Sequence, residues 1–122
     1  KQADVSVVAL SGEAGGDLAN INRWRGQLNL DPIAEAEASS QSQTITPAGR
    51  RMLLVDIVSR ELLIDSRYKK RLIAAILTRG NRTWFFKMTG EGETVERAKP
   101  AFLRFLGSLR FQESPHEAAD PS

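Results

Sequence analysis

"RLIAAILTRGNRTWFFKMTG", Arg71 to Gly90, is the stretch that decides the fold. Two runs rich in β-branched and aromatic residues flank Gly80-Asn81, and a two-residue connection of that kind predicts a hairpin turn. Leu72 to Thr78 should pair with Thr83 to Met88. Strand side chains alternate, so Thr83, Phe85 and Lys87 share one face and Trp84, Phe86 and Met88 share the other. Aromatic residues on both faces of one strand are expected to be core, packed against a helix on each side.

Outward from this hairpin, "TIT", "PAG" and "RRMLLVDIVS" predict a second one around Pro47 to Gly49. Its later strand, Arg51 to Ser59, is nearly all apolar and should be central and covered on both faces. Asp56 is the single charge inside that apolar run. "SSQSQ" before the hairpin and "RELLIDSRYKK" after it read as surface loops. At the start of the chain, "ADVSVVAL" alternates over Ala3 to Leu10, with Val5, Val7 and Ala9 pointing one way and Val8 and Leu10 the other. A pairing strand, and a leader or lipid anchor, are expected upstream of Lys1. The alternative is a homodimer that completes the sheet by edge-strand pairing. Near the other end, Val95, Ala98, Phe102, Phe105, Leu106 and Leu109 recur at helical spacing. Thr94 is the expected cap, and Pro100 should kink this helix or mark its real start. "QESPHEAADPS", residues 112–122, reads as a disordered tail after a single domain spanning 1–111.

The remaining motif is "GGDLANINRWRGQLNL", Gly15 to Leu30. Asp17 is the expected N-cap of a helix. Leu18, Ile21, Trp24 and Leu28 fall on one arc of roughly 120°. Asn20, Arg23 and Gln27 cluster opposite, and Arg25 projects inside the apolar arc. A buried guanidinium needs a partner. One reading makes Arg25 and Asn22 architectural, tying the helix to the sheet, with Asp56 or a strand-end carbonyl as the partner of Arg25. The other makes Asn20, Asn22, Arg23, Arg25 and Gln27 a surface that binds a ligand or protein. "DPIAEAEAS" then predicts a short helix with Asp31 as cap and Pro32 at its first position. The element order is therefore β-α-α-β-β-β-β-α, an α+β fold with an antiparallel sheet covered by helices.

The stretches "GGDLANINRWRGQL", "RLIAAIL" and "TWFFKMTGEGETVERAKPAFLRFLGSLRF" resemble a bacterial family of exported or lipid-anchored proteins whose fold is similar to PsbP-like domains. The resemblance spans about Ala3 to Phe111 and is weak between Ser39 and Lys70. It implies an α/β/α sandwich, an extracytoplasmic or periplasmic location, and a binding or accessory role without assigned activity. It is fold-level analogy where function is concerned.

Composition sets limits on the chemistry. The 122 residues include 17 basic and 15 acidic side chains, a net charge of +2, too balanced for a dedicated nucleic-acid binder. There is no cysteine, and the one histidine is His116 in the expected tail, so the usual nucleophile-base pairs are missing. No metal-ligand spacing is present: "GEGETVE" matches no calcium loop. "GEAGGDLAN" puts glycines before a helix N-terminus, but no Lys-Ser/Thr follows and Asp17 brings its own negative charge. No cofactor is expected. Arg67, Lys69, Lys70 and Arg71, beside Tyr68, form a basic stretch that would meet an anionic membrane surface weakly, or simply guard against aggregation. The expectation is a non-catalytic binding or accessory module of the cell envelope, its partner an unidentified protein or envelope component. The alternative is a small-ligand binder, or a hydrolase, with a pocket between the first helix and the sheet.

Overall fold

The computed structural model describes residues 3–11 and 16–110. Residues 12–15 of "SGEAGG", which reads as a loop in sequence, the tail and His116 lie outside them. Among the described residues five antiparallel strands form one sheet: β1 (Asp4–Ser11), β2 (Ser42–Ile45), β3 (Met52–Val58), β4 (Lys70–Arg79) and β5 (Arg82–Glu91). Among the described residues three α-helices accompany them, α1 (Asp17–Gln27), α2 (Glu35–Gln41) and α3 (Gly92–Gly107), with a single 3-10 turn at Pro47–Gly49. The strand order is β1-β5-β4-β3-β2. The protein is α+β, with the expected order of elements.

β4 is the middle strand, and every side chain from Leu72 to Leu77 is buried. One face, with Leu72, Ala74, Ile76 and Phe85, packs against Ile21 and Trp24 of α1 and Leu28 just after it. The other, with Ile73, Ala75, Leu77 and Phe86, packs against Val95, Phe102 and Leu106 of α3. The face assignments read from the hairpin hold. Trp24 lies edge-on to Phe85, ring centroids 5.8 Å apart and planes at 83°, while Trp84 stacks on Phe86 at 6.3 Å on the opposite side.

The turn between β4 and β5 has a positive φ at Gly80 (64°) and none at Asn81, which is a type II′ turn with glycine in its required first position. The pairing runs further than the apolar pattern suggested, from Arg79↔Arg82 out to Lys70↔Glu91. As a result "GEGE", Gly90 to Glu93, ends β5 and opens α3. β5 continues to Glu91 and α3 begins at Gly92, with Glu91 rather than Thr94 at the cap position. The Thr94 hydroxyl is buried in the first turn with no hydrogen bond. Pro100 sits inside α3, exposed, and the helix continues past it because Phe102 and Leu106 still reach the core.

Three other expectations are corrected. The N-cap of α1 is Gly16, at φ 86°, and Asp17 is the first helical residue. There its charge still favours the helix dipole. α2 begins at Glu35, not Pro32, because the intervening segment is held extended by side chains of α1 described below. "SSQSQ" is not a loop: it ends α2 and opens β2, whose Ser42 pairs with Val55.

The split core predicts unequal tryptophans. Trp24, 1% exposed, should cost roughly 3–5 kcal/mol when replaced by alanine. Half-buried Trp84 should cost clearly less. Urea unfolding of the two variants checks this, and equal losses would contradict the burial described.

Candidate functional site

α1 is fixed by hydrogen bonds to the chain that follows it. Asn29 adopts φ 57°, and the Leu30 N–H donates to the Arg25 carbonyl at 2.9 Å while the Asn29 N–H donates to Gly26 at 3.0 Å. These two bonds are a Schellman turn with asparagine in the left-handed position. The turn folds residues 31–34 back along the helix. Asn22 then grips Ile33 from both sides: its Nδ2 donates to the Ile33 carbonyl at 3.1 Å and its Oδ1 accepts the Ile33 N–H at 2.8 Å. Arg25 Nε donates to the Asp31 carbonyl at 2.7 Å. Asn22 and Arg25 are thus architectural, but they tie α1 to the connection before α2 and not to the sheet.

The outer strip does not form as one surface. Asn20 is buried and its Nδ2 donates to the Gly16 carbonyl at 2.8 Å, closing the start of the helix. Arg23 is exposed and lies over the rings of Trp24 and Phe85, 5.8 and 6.0 Å from their centroids. Gln27 Oε1 accepts a long hydrogen bond, 3.4 Å, from Lys87. Burial lowers the pKa of Lys87, and the nearby charges of Arg23 and Lys70 lower it further.

The predicted Arg25–Asp56 pair is absent, and strand parity explains why. Val55 and Ile57 face α1, so Asp56 between them faces α3. There Arg71 binds it bidentately, Nε to Oδ1 at 2.8 Å and Nη2 to Oδ2 at 2.6 Å, and Lys99 Nζ lies 3.0 Å from Oδ2. Glu96 holds the third side of Arg71. Burial raises the pKa of Asp56, but the hydrogen bonds from Arg71 and Lys99 and their charges outweigh it and hold the carboxyl below its ordinary value. The hydrogen bonds to Asp56 and Glu96, and their charges, raise the pKa of Arg71 against the opposing effect of burial. Arg71 therefore drops out of the expected basic stretch. Arg67 and Lys69 remain exposed, Arg67 over the Tyr68 ring at 5.5 Å, and Lys70 is half-buried at the start of β4.

A cavity of about 260 Å³ does open between α1, α2 and β3. Ile21, Val55 and Ile57 form part of its wall, with Arg25, Gln41 and Arg60 around it. Arg60 was missed from the sequence because nothing local shows that the residues after β3 reach α1. Lys99 and Glu96 were missed for the same reason, although their spacing of three on α3 puts them on one face. Among the described residues no group of three or more His, Cys, Asp or Glu side chains is placed to hold a metal ion, and no helix is long and apolar enough to cross a membrane.

Two outcomes follow. Asn22→Ala should cost about 1–3 kcal/mol, because the Ile33 amide and carbonyl lose their partner together. For Asp56 the folded pKa lies below the unfolded one. Its contribution is therefore complete above about pH 4 and is lost as pH falls through the lower folded value. The stability gap between wild type and Asp56→Asn should be constant from about pH 7 to 5 and shrink below about 4. Urea titrations across that range test it, and a gap that widened in acid would refute the assignment.

No protein-family model matches the chain, and no curated protein does. The solved structures similar to it in outline include a Pseudomonas aeruginosa protein of unknown function, with 12% identity over 93% of this chain and 87% of that one, at a TM-score of 0.49. A likeness of that size carries no argument about function.

Proposed function

We propose that the protein is a non-catalytic binding module of the bacterial cell envelope, and that its working surface is the outer edge of β1. The observation that carries this is the exposure of β1. Val5, Val7, Val8 and Leu10 are 54, 47, 46 and 43% exposed, two on each face of the strand. On both faces, then, these side chains stay open to solvent, unlike those of β4. Among the described residues β5 is the only strand beside β1. An eight-residue edge with five aliphatic residues and no lysine or proline is what folded proteins normally avoid, since its free N–H and C=O groups recruit another strand. The opposite edge shows the usual protection: β2 has four residues, "SQTI", and follows directly on α2.

Strand addition uses such an edge, with main-chain hydrogen bonds giving affinity and alternate side chains giving selectivity. A seat for those side chains lies alongside. Val5, Met88, Ala98, Phe102 and Phe105 line an apolar depression of about 380 Å³ between β1 and α3. A second copy of the chain satisfies the edge. In an antiparallel pair centred on Val7, Val7 meets its own copy, Val5 meets Ala9, and Ser6 meets Val8. The only charge in the strand, Asp4, falls opposite Leu10, so no like charges meet.

Two further considerations support the non-catalytic and envelope parts. No histidine or cysteine is found among the described residues, and the one carboxylate inside β3 is held by Arg71 and Lys99. The resemblance to exported proteins with PsbP-like domains favours an extracytoplasmic accessory role.

Light scattering on the purified chain tests the surface. The wild type should be a dimer at concentrations below about 1 mM. Val7→Lys should make it monomeric by placing two ammonium groups face to face, with little change in thermal midpoint. Thr44→Lys, on the exposed part of β2, should leave the dimer intact. A wild type that stays monomeric throughout would contradict self-pairing, and a Val7→Lys dimer would move the interface elsewhere.

A further inference from the structure

The two faces of the sheet are unequally covered. Among the described residues α1 and Ala38 of α2 lie on one face, and α3 is the one helix on the other. α3 packs through Val95, Phe102 and Leu106 on the middle of the sheet, while β1 lies beyond β5 at the edge. Val5, Val7 and Ala9 of β1 stand on the α3 face, in register with Met88, Phe86 and Trp84. Val5 and Val7 are about half exposed there. The flank of α3 toward them carries Thr94, Ala98, Ala101 and Phe105, at spacings of four, three and four. That is the period of a seam between packed helices. Ala101 is exposed, and Phe105 is 37% exposed. Floor and wall meet in the apolar depression of about 380 Å³ beside β1.

We infer that this groove binds an amphipathic helix of a partner protein, one that carries acidic residues along its flank. The spacing suits a helix. Packed helices lie roughly 8–10 Å apart, and β1 is two strand intervals from β4, about 9.6 Å. A second helix in the α3 layer therefore sits over β1. The seam from Thr94 to Phe105 runs about 16 Å, three turns of such a helix. Ala98 and Ala101 let the two backbones approach, and Val5, Val7 and Phe105 supply the exposed apolar surface that the partner covers. The charges choose its flank. Arg97 and Arg104, seven residues apart, border the seam on its solvent side. Both are exposed, and neither forms an ion pair among the described residues. Glu93 stands one turn before Arg97, so the acids of the partner belong opposite the later turns of α3. An acyl chain would cover the floor and leave both arginines unused. The groove uses the face of β1 and not its backbone edge. In the self-pair Val5 meets Ala9, a side chain too small to fill the depression, so a bound helix and an added strand are compatible.

The test is a titration of the full chain, followed by amide NMR at low ionic strength, with two synthetic amphipathic peptides and with dodecanoate. The peptides share one leucine face, and one is flanked by glutamate, the other by lysine. The glutamate peptide should give saturable shifts at Val5, Val7, Ala98, Ala101 and Phe105. The lysine peptide should bind about tenfold more weakly or worse, two exposed charge contacts being reversed. Arg97→Glu combined with Arg104→Glu should invert that preference and leave the thermal midpoint nearly unchanged, because both side chains are exposed. Ala101→Gln, neutral and compatible with the helix, should weaken both peptides alike by holding the backbones apart. Equal binding of the two peptides by the wild type, or no saturable shift at these residues, would overturn the inference. Shifts there that follow protein concentration without peptide would make a second copy the occupant, and tighter binding of dodecanoate would make it an acyl chain; either result overturns the partner helix. Self-pairing of β1 is read separately by light scattering, so the failure of one does not decide the other.

Discussion

The burial of β4 on both faces is the constraint on which the structure depends. Six consecutive buried apolar side chains leave the strand no polar face, so a helix layer is required on each side. Strand side chains alternate with a period of two, and a shift of one residue moves every side chain to the other layer. That rule assigns Phe85 and Trp24 to one core and Phe86 and Phe102 to the other. It also decides the electrostatics. Asp56 lies between Val55 and Ile57, which face α1, and is therefore committed to α3, where Arg71 arrives in the neighbouring strand and Lys99 and Glu96 from the helix.

α1 meets a different constraint. It carries more amide and guanidinium groups than a helix of eleven residues ordinarily needs, and most of them are used within its own neighbourhood. Asn20 closes its start, Asn29 turns the chain at its end, and Asn22 and Arg25 clamp the returning segment. The motif is a self-contained helix and turn docked on the sheet through Ile21, Trp24 and Leu28.

The sheet was readable from residues because its signals are local. Gly80-Asn81 sets a turn type, and alternation along Thr83 to Met88 sets the faces. The outer-strip reading failed at Asn20, since a helical wheel does not show that a side chain can curl back to Gly16 and be buried there. The pairing of Arg25 with Asp56 failed because the wheel gives a direction from α1 but not which strand face lies under it. The start of α2 was misplaced because Asp31-Pro32 carries the pattern of a helix start, while the Asn22 clamp on Ile33 is a tertiary contact that overrides it. The exposure of β1 was legible only in part: alternation showed two apolar faces, and it took the fold to show that neither helix covers them.

The open edge of β1 is the central claim about function, and hydrogen exchange of its amides followed against protein concentration tests it most directly. If β1 receives an antiparallel strand from a second copy, its outward-pointing amides, every other residue from Asp4 to Ser11, become protected as concentration rises. The inward amides bonded to β5 stay protected throughout. Outward amides that exchange freely at every concentration would contradict the account.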